Sequence, residues 1–210
     1  MKKIGLIAIL LLALTMIEIS VKAEDYSNYQ EIVFDNDDAY LLKNYSSSNY
    51  KSAYKKISRR KFMGWKVYVV HKNEPLEFVS ETKLKIYNNG YTPIKHNIKL
   101  ETKEETKHQL QASGSIKISI DGKLKEFKGG VDQEIKSSIS YSKTTTSIEN
   151  YEFQIVIDPK TYVKIITRGT GEISNGVAQS YVFWIKTIKG GWEIFTVQTE
   201  YYEIIKERIR

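Results

Sequence analysis

The sequence predicts a mainly β protein: an elongated antiparallel sheet or a β-sandwich with long Ser/Thr-rich strands, plus a short N-terminal helix. Apolar and polar residues alternate with a period of two, almost without a break, from Ile94 to about Ile157, as in strands with one wet face. This stretch is several times longer than an average strand of roughly 5–6 residues. The chain also holds 15 Tyr and only 3 Pro, which favours β-structure over disorder.

The first 23 residues are predicted to be a secretory signal peptide. Two lysines precede an apolar run from Ile4 to Ile17, and small residues flank a cleavage position after Ala23. Glu18 and Lys22 leave the run too short to span a bilayer comfortably. We therefore expect secretion, with 1–23 removed, a Tyr-rich region over 24–62 and a β-rich domain over 63–210.

Composition excludes several classes of chemistry. The chain has no Cys, which rules out disulfides, thiol chemistry and lipid attachment through cysteine. Cleavage would leave 29 basic against 24 acidic side chains, and this modest positive charge favours anionic surfaces. The sequence shows no concentrated basic stripe of the kind that nucleic-acid binders carry, so we expect no nucleic-acid partner. Export without Cys, in a chain rich in Lys, Ile and Asn, is typical of low-GC Gram-positive bacteria.

The Tyr-rich region is predicted to contain a short amphipathic helix. Tyr50, Ala53, Tyr54 and Ile57 fall at i, i+3, i+4 and i+7, and Ser47 to Asn49 offer caps. Its tyrosines either contact a receptor or cell surface, as exposed Tyr often does, or pack the helix onto a sheet. The six candidate surface-binding aromatics are Tyr26, Tyr29, Tyr40, Tyr45, Tyr50 and Tyr54.

The strands are predicted in order along the rest of the chain. Short strands are expected at Lys66–His71, Leu76–Val79 and Thr82–Tyr87, followed by a turn at residues 88–90, where Asn and Gly accept positive φ. A long strand should then run from Ile94 to near Gly114 and continue to Ile120. A three-residue loop beginning at Asp121-Gly122 would set Ile120 against Leu124.

The second half of the chain continues the β-pattern. After Gly129-Gly130 the odd-numbered residues Val131, Ile135, Ile139 and Tyr141 predict a further strand, which a Thr/Ser tract joins to residues 151–157. Residues 181–185 and 192–197 are apolar on both faces, as in strands buried on both sides. Gly190-Gly191 is predicted to be the turn between them.

No catalytic or metal-binding pattern is present. The three histidines, at positions 71, 96 and 108, lack metal-ligand spacing, and no nucleophile elbow, phosphate loop or zinc-protease motif occurs. Gly169-Thr170-Gly171 is interpreted as a turn or bulge. We expect no cofactor and no enzymatic activity, although a dispersed carboxylate pair of the glycosidase kind stays open.

One segment has the pattern of a membrane-crossing hairpin. A strand needs roughly 9–11 residues to cross a bilayer, and residues 110–120 meet this length with one apolar face. Lys125, Glu126 and Lys128 make the returning arm strongly charged, so a solvent-exposed hairpin is the alternative. The candidate insertion residues are Leu110, Ala112, Ile116, Ile118, Ile120, Leu124 and Phe127.

Two stretches within this order of features carry a family resemblance. The tract from Ile139 to Ser147 (ISYSKTTTS) and that from Tyr151 to Pro159 (YEFQIVIDP) resemble aerolysin-type β-pore-forming toxins of the ETX/MTX2 group. The resemblance covers about residues 92–168. It implies secretion, receptor-assisted membrane binding, ring-shaped homo-oligomers, a hairpin that refolds into the pore, and no enzymatic activity.

Two functions therefore follow from the sequence. In the first, a secreted β-protein binds a cell surface or membrane and inserts residues 110–127 after oligomerising. In the second, a secreted or envelope-associated β-sandwich acts as a structural or adhesive binding module without forming pores.

Overall fold

The computed structural model describes residues 29–105, 108–121, 124–139 and 146–209. The predicted mainly β fold with a short N-terminal helix is confirmed. The strands in the described residues are β1 (Tyr29–Phe34), β2 (Met63–Asn88), β3 (Ile94–Glu105), β4 (His108–Ala112), β5 (Ile118–Asp121), β6 (Leu124–Phe127), β7 (Thr146–Ile157), β8 (Thr161–Val182) and β9 (Ile185–Arg208). The helices there are α1 (Ser47–Lys56) and α2 (Val131–Ser138), with a 3-10 turn at Leu42–Asn44. Neither of these two α-helices is long and apolar enough to span a membrane.

A five-stranded antiparallel sheet in the order β1-β2-β8-β9-β4 forms the body of the molecule. Its three central strands hold 26, 22 and 24 residues. At about 3.3 Å per residue these strands extend roughly 70 Å, so the sheet is elongated as predicted. Two small sheets, β3-β7 and β5-β6, complete the described β-structure.

The prediction of three short strands within residues 66–87 is wrong, because β2 runs through the whole interval. Register shifts near Val69, His71 and Val79 mark bulges that bend β2 without ending it. Asn73, at φ 51°, occupies one of them and is held by a 2.9 Å hydrogen bond from its backbone N–H to Ser174 Oγ. Bulges increase local twist while the ladder continues. A bulge also lies between Thr170 and Gly171 in β8, as the glycines there had predicted.

The turn that joins β8 to β9 lies at Phe183-Trp184, so the predicted turn at Gly190-Gly191 is wrong. Both glycines lie within β9, where the chain at Ser113 crosses it closely. A Cβ on Gly190 would lie 2.2 Å from the Ser113 carbonyl oxygen. These glycines therefore serve close backbone approach rather than a reversal of the chain.

The predicted long strand from Ile94 to Ile120 is divided among three sheets. β3 pairs with β7 from Ile94↔Ile157 onward, whereas β4 pairs with β9. Beyond Ala112 the ladder stops, and Gly114 adopts a positive φ of 67° before β5 begins. Alternation with a period of two specifies which face of a strand is solvent-exposed, but it does not specify which strand pairs with it. Successive parts of one alternating segment can therefore pair with different strands.

The predicted strand from Val131 is wrong, since these residues form α2. Val131 and Ile135 share odd parity, but they are also four residues apart and lie on one face of a helix. Gly129 and Gly130, at φ 81° and 77°, turn the chain into the helix. A 2.7 Å ion pair between Asp132 and Lys136, at i and i+4, supports the helix. Tyr141 and the Thr/Ser tract to residue 145 lie outside the described residues.

Helix α1 begins as its sequence predicts, with a small correction to the cap. Ser46 is the N-cap, and its hydroxyl accepts a 3.1 Å hydrogen bond from the Asn49 backbone N–H. The Asn49 side chain accepts in return from the Ser46 N–H at 3.0 Å. This reciprocal capping box satisfies two donors that a helix end leaves free.

The buried apolar residues form two clusters on the long sheet. The hairpin-side core consists of Trp65, Leu110, Ile116, Phe127, Val131, Ile135, Ile139, Ala178, Trp192 and Ile194. The β1-side core consists of Leu41, Leu76, Phe78, Ile173, Phe195 and Val197. The candidate insertion residues Leu110, Ile116 and Phe127 belong to the first of these, and Ala112 and Ile118 pack against it.

Candidate functional site

Five of the seven candidate insertion residues pack in the hairpin-side core. Leu110, Ile116 and Phe127 are buried at 8%, 5% and 3% exposure, and Ala112 and Ile118 pack partly buried beside them. The side chains of Ile120 and Leu124 lie outside what the structure describes. The apolar face that the alternation predicted is therefore present, and in this conformation it covers the protein's own core.

The register of β5 and β6 corrects the predicted hairpin. Asp121 pairs with Leu124 and Ile118 pairs with Phe127, so the loop comprises two residues, 122 and 123, and not three. Ile120 is thereby set opposite Lys125 instead of Leu124. Ile118 and Phe127, which are directly opposed, both face the hairpin-side core.

We refer to residues 113–139, comprising β5, β6 and α2, as the hairpin unit. Few backbone bonds join its start to the long sheet: Ser113 N–H donates to the Gly191 carbonyl at 3.0 Å, and Ser115 N–H donates to the Lys189 carbonyl at 3.1 Å. The Ser113 hydroxyl also accepts from the Gly191 N–H at 3.1 Å. Apolar burial in the hairpin-side core and the contacts of α2 with the start of β2 hold the rest of the described unit.

Helix α2 is tied to the beginning of β2. Trp65 Nε1 donates a 2.5 Å hydrogen bond to the Gly129 carbonyl, just before the helix. Lys61 Nζ lies 3.2 Å from the Glu134 carboxylate and 2.9 Å from the Trp65 carbonyl. This ion pair is partly exposed and contributes about 0–1 kcal/mol, so the indole and the buried helix face contribute more.

Most of the predicted surface-binding tyrosines pack inward. Tyr40, Tyr45, Tyr50 and Tyr54 form a continuous series of ring contacts with centroids 5.1, 5.1 and 6.2 Å apart, and Tyr40 also meets the His71 ring at 4.7 Å. Tyr45 is buried and the other three are half-buried. They pack α1 and the segment before it onto the sheet, which is the second of the two interpretations.

The remaining two tyrosines differ in position. Tyr29 packs edge-on against Phe78 and Phe195, with ring centroids 4.7 and 5.1 Å away. Its hydroxyl accepts a 2.8 Å hydrogen bond from Gln109 Nε2. Tyr26 lies outside the described residues. A role of these six residues in contacting a cell surface stays a prediction.

A buried polar network lies beneath the tyrosine series. The Glu193 carboxylate, at 1% residue exposure, accepts hydrogen bonds from the Leu42 N–H at 2.6 Å and from Asn175 Nδ2 at 3.0 Å. The Tyr45 hydroxyl donates to Asn175 Oδ1 at 2.7 Å. The network joins the segment before α1 to both long strands β8 and β9.

The buried setting of Tyr45 and Tyr50 keeps their hydroxyls protonated. Burial raises the pKa of Tyr45 far above its ordinary value, and the neighbouring Tyr40 and Glu193 raise it further. Burial also raises the pKa of Tyr50, opposed in part by its hydrogen bond with Ser113. The sequence contained one signal of this network that our interpretation missed: Glu193 is the single charged residue in the apolar run 192–197.

Metal-binding geometry is not found in the described part of the chain, where no group of three or more His, Cys, Asp or Glu residues comes together. The carboxylate that is most deeply buried, Glu193, is taken up by structural hydrogen bonds to Leu42 and Asn175. It is therefore placed to hold chain segments together.

Comparison with known proteins gives only weak likenesses. No family model and no curated protein matches the chain. Among solved structures, the Cry23Aa1–Cry37Aa1 binary complex matches at 13% identity and TM-score 0.27, over 77% of this chain and 87% of that one. Parasporin-2, a Bacillus thuringiensis toxin that recognises cancer cells, matches at 9% identity and TM-score 0.24, over 87% and 86%. A lamprey immune protein matches at 7% and 0.24, over 75% of this chain and 51% of its own.

At these scores the likenesses assign neither a family nor a function to this chain. The resemblance to aerolysin-type toxins is therefore one of sequence pattern, and no family model matches it. The fold and the site define the class of this protein: it is an elongated, mainly antiparallel β-protein with an amphipathic hairpin packed against its long sheet.

Proposed function

We propose that this protein is a secreted, non-enzymatic β-protein that binds a cell surface and then releases the hairpin unit together with the edge strand β4, so that residues 110–127 enter the membrane of an oligomer. One observation carries the proposal. Residues 110–120 have membrane-crossing length, and their described apolar side chains Leu110, Ala112, Ile116 and Ile118 pack in the hairpin-side core. The segment is joined to the edge of the long sheet by the pairing of β4 with β9 and by the backbone hydrogen bonds of Ser113 and Ser115.

The energetics explain why such a unit stays closed in water. Burying a Val, Ile or Phe side chain contributes roughly 1.5–3 kcal/mol, so Ile116, Phe127, Val131 and Ile135 together contribute roughly 6–12 kcal/mol. That is comparable to the whole stability of an ordinary domain, about 5–15 kcal/mol. Release in water would expose these side chains without compensation, whereas an apolar bilayer would take up Ile116 and Phe127, the two that lie within residues 110–127.

The rival function is a secreted or envelope-associated binding module that never opens. The pairing of Ile120 with Lys125 favours it, because a charged residue opposes an apolar one in the middle of the hairpin. A binding module would attach to its surface with the hairpin unit in place.

Leakage of dye from vesicles separates the two functions. The mature chain, residues 24–210, should release an encapsulated dye and form large oligomers on the membrane. Ile118→Lys should abolish release while binding persists, because a lysine facing lipid costs roughly 2–4 kcal/mol near the bilayer midplane. Ser115→Lys adds the same charge at an exposed position of the same segment and is the matched control.

Two results would contradict the proposal. Absence of leakage and of any large oligomer, on membranes to which the protein demonstrably binds, would leave the binding module as the function. Full leakage by a correctly folded Ile118→Lys protein would show that residues 110–127 do not line the lipid.

A further inference from the structure

The closed end of the β8-β9 hairpin carries a group of exposed apolar side chains that we call the tip. Phe183, Trp184 and Ile185 are 60%, 54% and 66% exposed. The neighbouring end of β2 adds Phe62 and Met63, at 47% and 58%. Solvent-exposed aromatic and aliphatic residues grouped in this way usually mark an interaction site.

The tip is an ordered cluster. The Phe62 ring lies 5.1 Å from that of Phe183 and 4.7 Å from that of Trp184, both edge-on. The Trp184 N–H donates a 3.2 Å hydrogen bond to the Phe62 carbonyl. Met63, Val182 and Ile185 are directly paired across three strands and so form a second apolar row beside the rings.

The residues of the turn are not the ones that its backbone geometry favours. Phe183 and Trp184 both adopt left-handed backbone conformations, at φ 50° and 62°. Two-residue hairpin turns with two positive φ values strongly prefer Asn-Gly or similar pairs, and bulky residues there are strained. Strain of this kind persists where a function requires the residues, and here it presents two large aromatic side chains at the end of the sheet.

The chain around the tip is strongly and uniformly basic. Residues 55–66 and 179–192, which lead into and out of it, contain eight basic side chains and no acidic ones. Lys61 forms an ion pair with Glu134, and Lys66 donates to the Ser58 carbonyl. The basic residues are Lys55, Lys56, Arg59, Arg60, Lys61, Lys66, Lys186 and Lys189.

We propose that the tip is a membrane-contact site that enters the interface of a bilayer bearing anionic headgroups. Aromatic rings favour the boundary between headgroups and acyl chains, and flanking lysines and arginines add attraction to anionic lipid. This site rests on the proposed function and would be the surface that first binds the cell membrane. A second copy of this chain is a poorer occupant, because two tips would bring two basic regions together.

Tryptophan fluorescence reports on the tip directly. Of the three tryptophans, Trp65 and Trp192 are buried at 8% and 0% exposure, and Trp184 is the exposed one. Adding vesicles of phosphatidylcholine with 30% phosphatidylglycerol, roughly the anionic content that attracts basic segments, should shift its emission to the blue and sediment the protein. Vesicles of phosphatidylcholine alone should bind at least tenfold more weakly, and salt should weaken binding to the anionic ones.

The decisive variant removes the aromatic groups without damaging the turn. Phe183→Asn combined with Trp184→Gly supplies the residues that this turn prefers, so the thermal midpoint should stay equal or rise while vesicle binding falls at least tenfold. Trp184→Phe should keep binding within about twofold and lose the fluorescence change. Tyr91→Ser removes another exposed ring, 87% exposed and outside the tip, and should change neither.

Several outcomes would overturn the inference. Unchanged vesicle binding by the folded Asn-Gly variant would place the membrane contact elsewhere. An equal Trp184 response to soluble heparin would mean that the tip binds polyanions and not a bilayer. A dimer in solution that the Asn-Gly variant abolishes would mean that the tip binds a second copy of the chain. Failure of the pore step looks different: vesicles then bind the native protein and shift Trp184, but no dye escapes. The two proposals can therefore fail separately.

Discussion

The hydroxyl groups of Tyr50 and Ser113 lie 2.6 Å apart and share a hydrogen bond that joins helix α1 to the first residue of the hairpin unit. Both approach Gly191, where an added Cβ would lie 2.6 Å from Ser113 Oγ and 3.0 Å from the Tyr50 hydroxyl. The docking of the Tyr-rich region and the closure of the hairpin unit thus share one contact point. A disturbance of α1 should be felt where the unit begins.

Tyr50→Phe should loosen this contact point. Loss of one such hydrogen bond destabilises a protein by about 0.5–1.5 kcal/mol, and Ser113 keeps its bond with the Gly191 N–H. We expect a lower urea midpoint and faster hydrogen exchange at residues 113–118. Tyr91→Phe, at an exposed ring, is the control, and equal exchange rates in the two variants would show that Tyr50 does not hold the unit.

Gly190→Ala should be more damaging than its size suggests. The new methyl group would lie 2.2 Å from the Ser113 carbonyl oxygen and 2.8 Å from Ile116 Cγ1, so backbone must move. Overpacking of this kind costs about 1–3 kcal/mol, measurable by urea unfolding. Gly90→Ala, where the nearest atom is a side-chain oxygen at 3.1 Å instead of a backbone oxygen at 2.2 Å, should cost less. Similar losses for both would refute the close approach at Gly190.

Glu193→Leu should destabilise the protein more than Glu193→Gln. Leucine removes the acceptor of the Leu42 N–H and of one Asn175 Nδ2 hydrogen, while the other Asn175 Nδ2 hydrogen keeps its bond to the Tyr40 carbonyl. Each unsatisfied buried donor costs about 1–3 kcal/mol. The Gln oxygen can still accept from them. Glu152→Leu, at an exposed strand position, should cost about 0–1 kcal/mol. Equal unfolding free energies for the two Glu193 variants would mean that the network contributes little.

The free energy of unfolding should decrease as the pH is lowered through the range where His71 takes up a proton. Burial lowers the pKa of His71 below its ordinary 6.5, opposed by the nearby Glu74 and Asp38 carboxylates, and its Nε2 is buried without a hydrogen-bond partner among the described residues. The unfolded chain therefore binds the proton more readily than the folded one. Stability is kept above pH 6.5 and is lost as pH falls from there toward the lowered value.

His71→Leu tests this linkage. Urea unfolding of the variant between pH 8 and 5 should lack the part of the slope that the native protein shows below about pH 6.5. His96→Gln, at an exposed position on β3, should retain that slope. A native-like slope in His71→Leu would assign the pH dependence to other groups.

The sequence predicted correctly those elements whose spacing of apolar residues fits only one type of secondary structure. Alternation identified the β-class and the apolar face through Leu110 and Ile116. Helical spacing placed α1, because Tyr50, Ala53 and Tyr54 share a face only in a helix. The same reasoning failed at α2, since Val131 and Ile135 satisfy both a strand and a helix, and at Gly190-Gly191, where glycine serves a chain crossing in place of a turn.

Composition and residue period by themselves determined that this chain is β-rich and that the segment beginning at Leu110 carries an apolar face. Only the tertiary structure decided which apolar residues are covered. Phe127 is buried against the hairpin-side core, whereas Phe183 and Trp184, which the sequence assigned to a buried strand, stand exposed at a turn. The physical reason is that a side chain is buried only when another surface, often distant in sequence, packs against it. A local sequence pattern describes only one of the two surfaces.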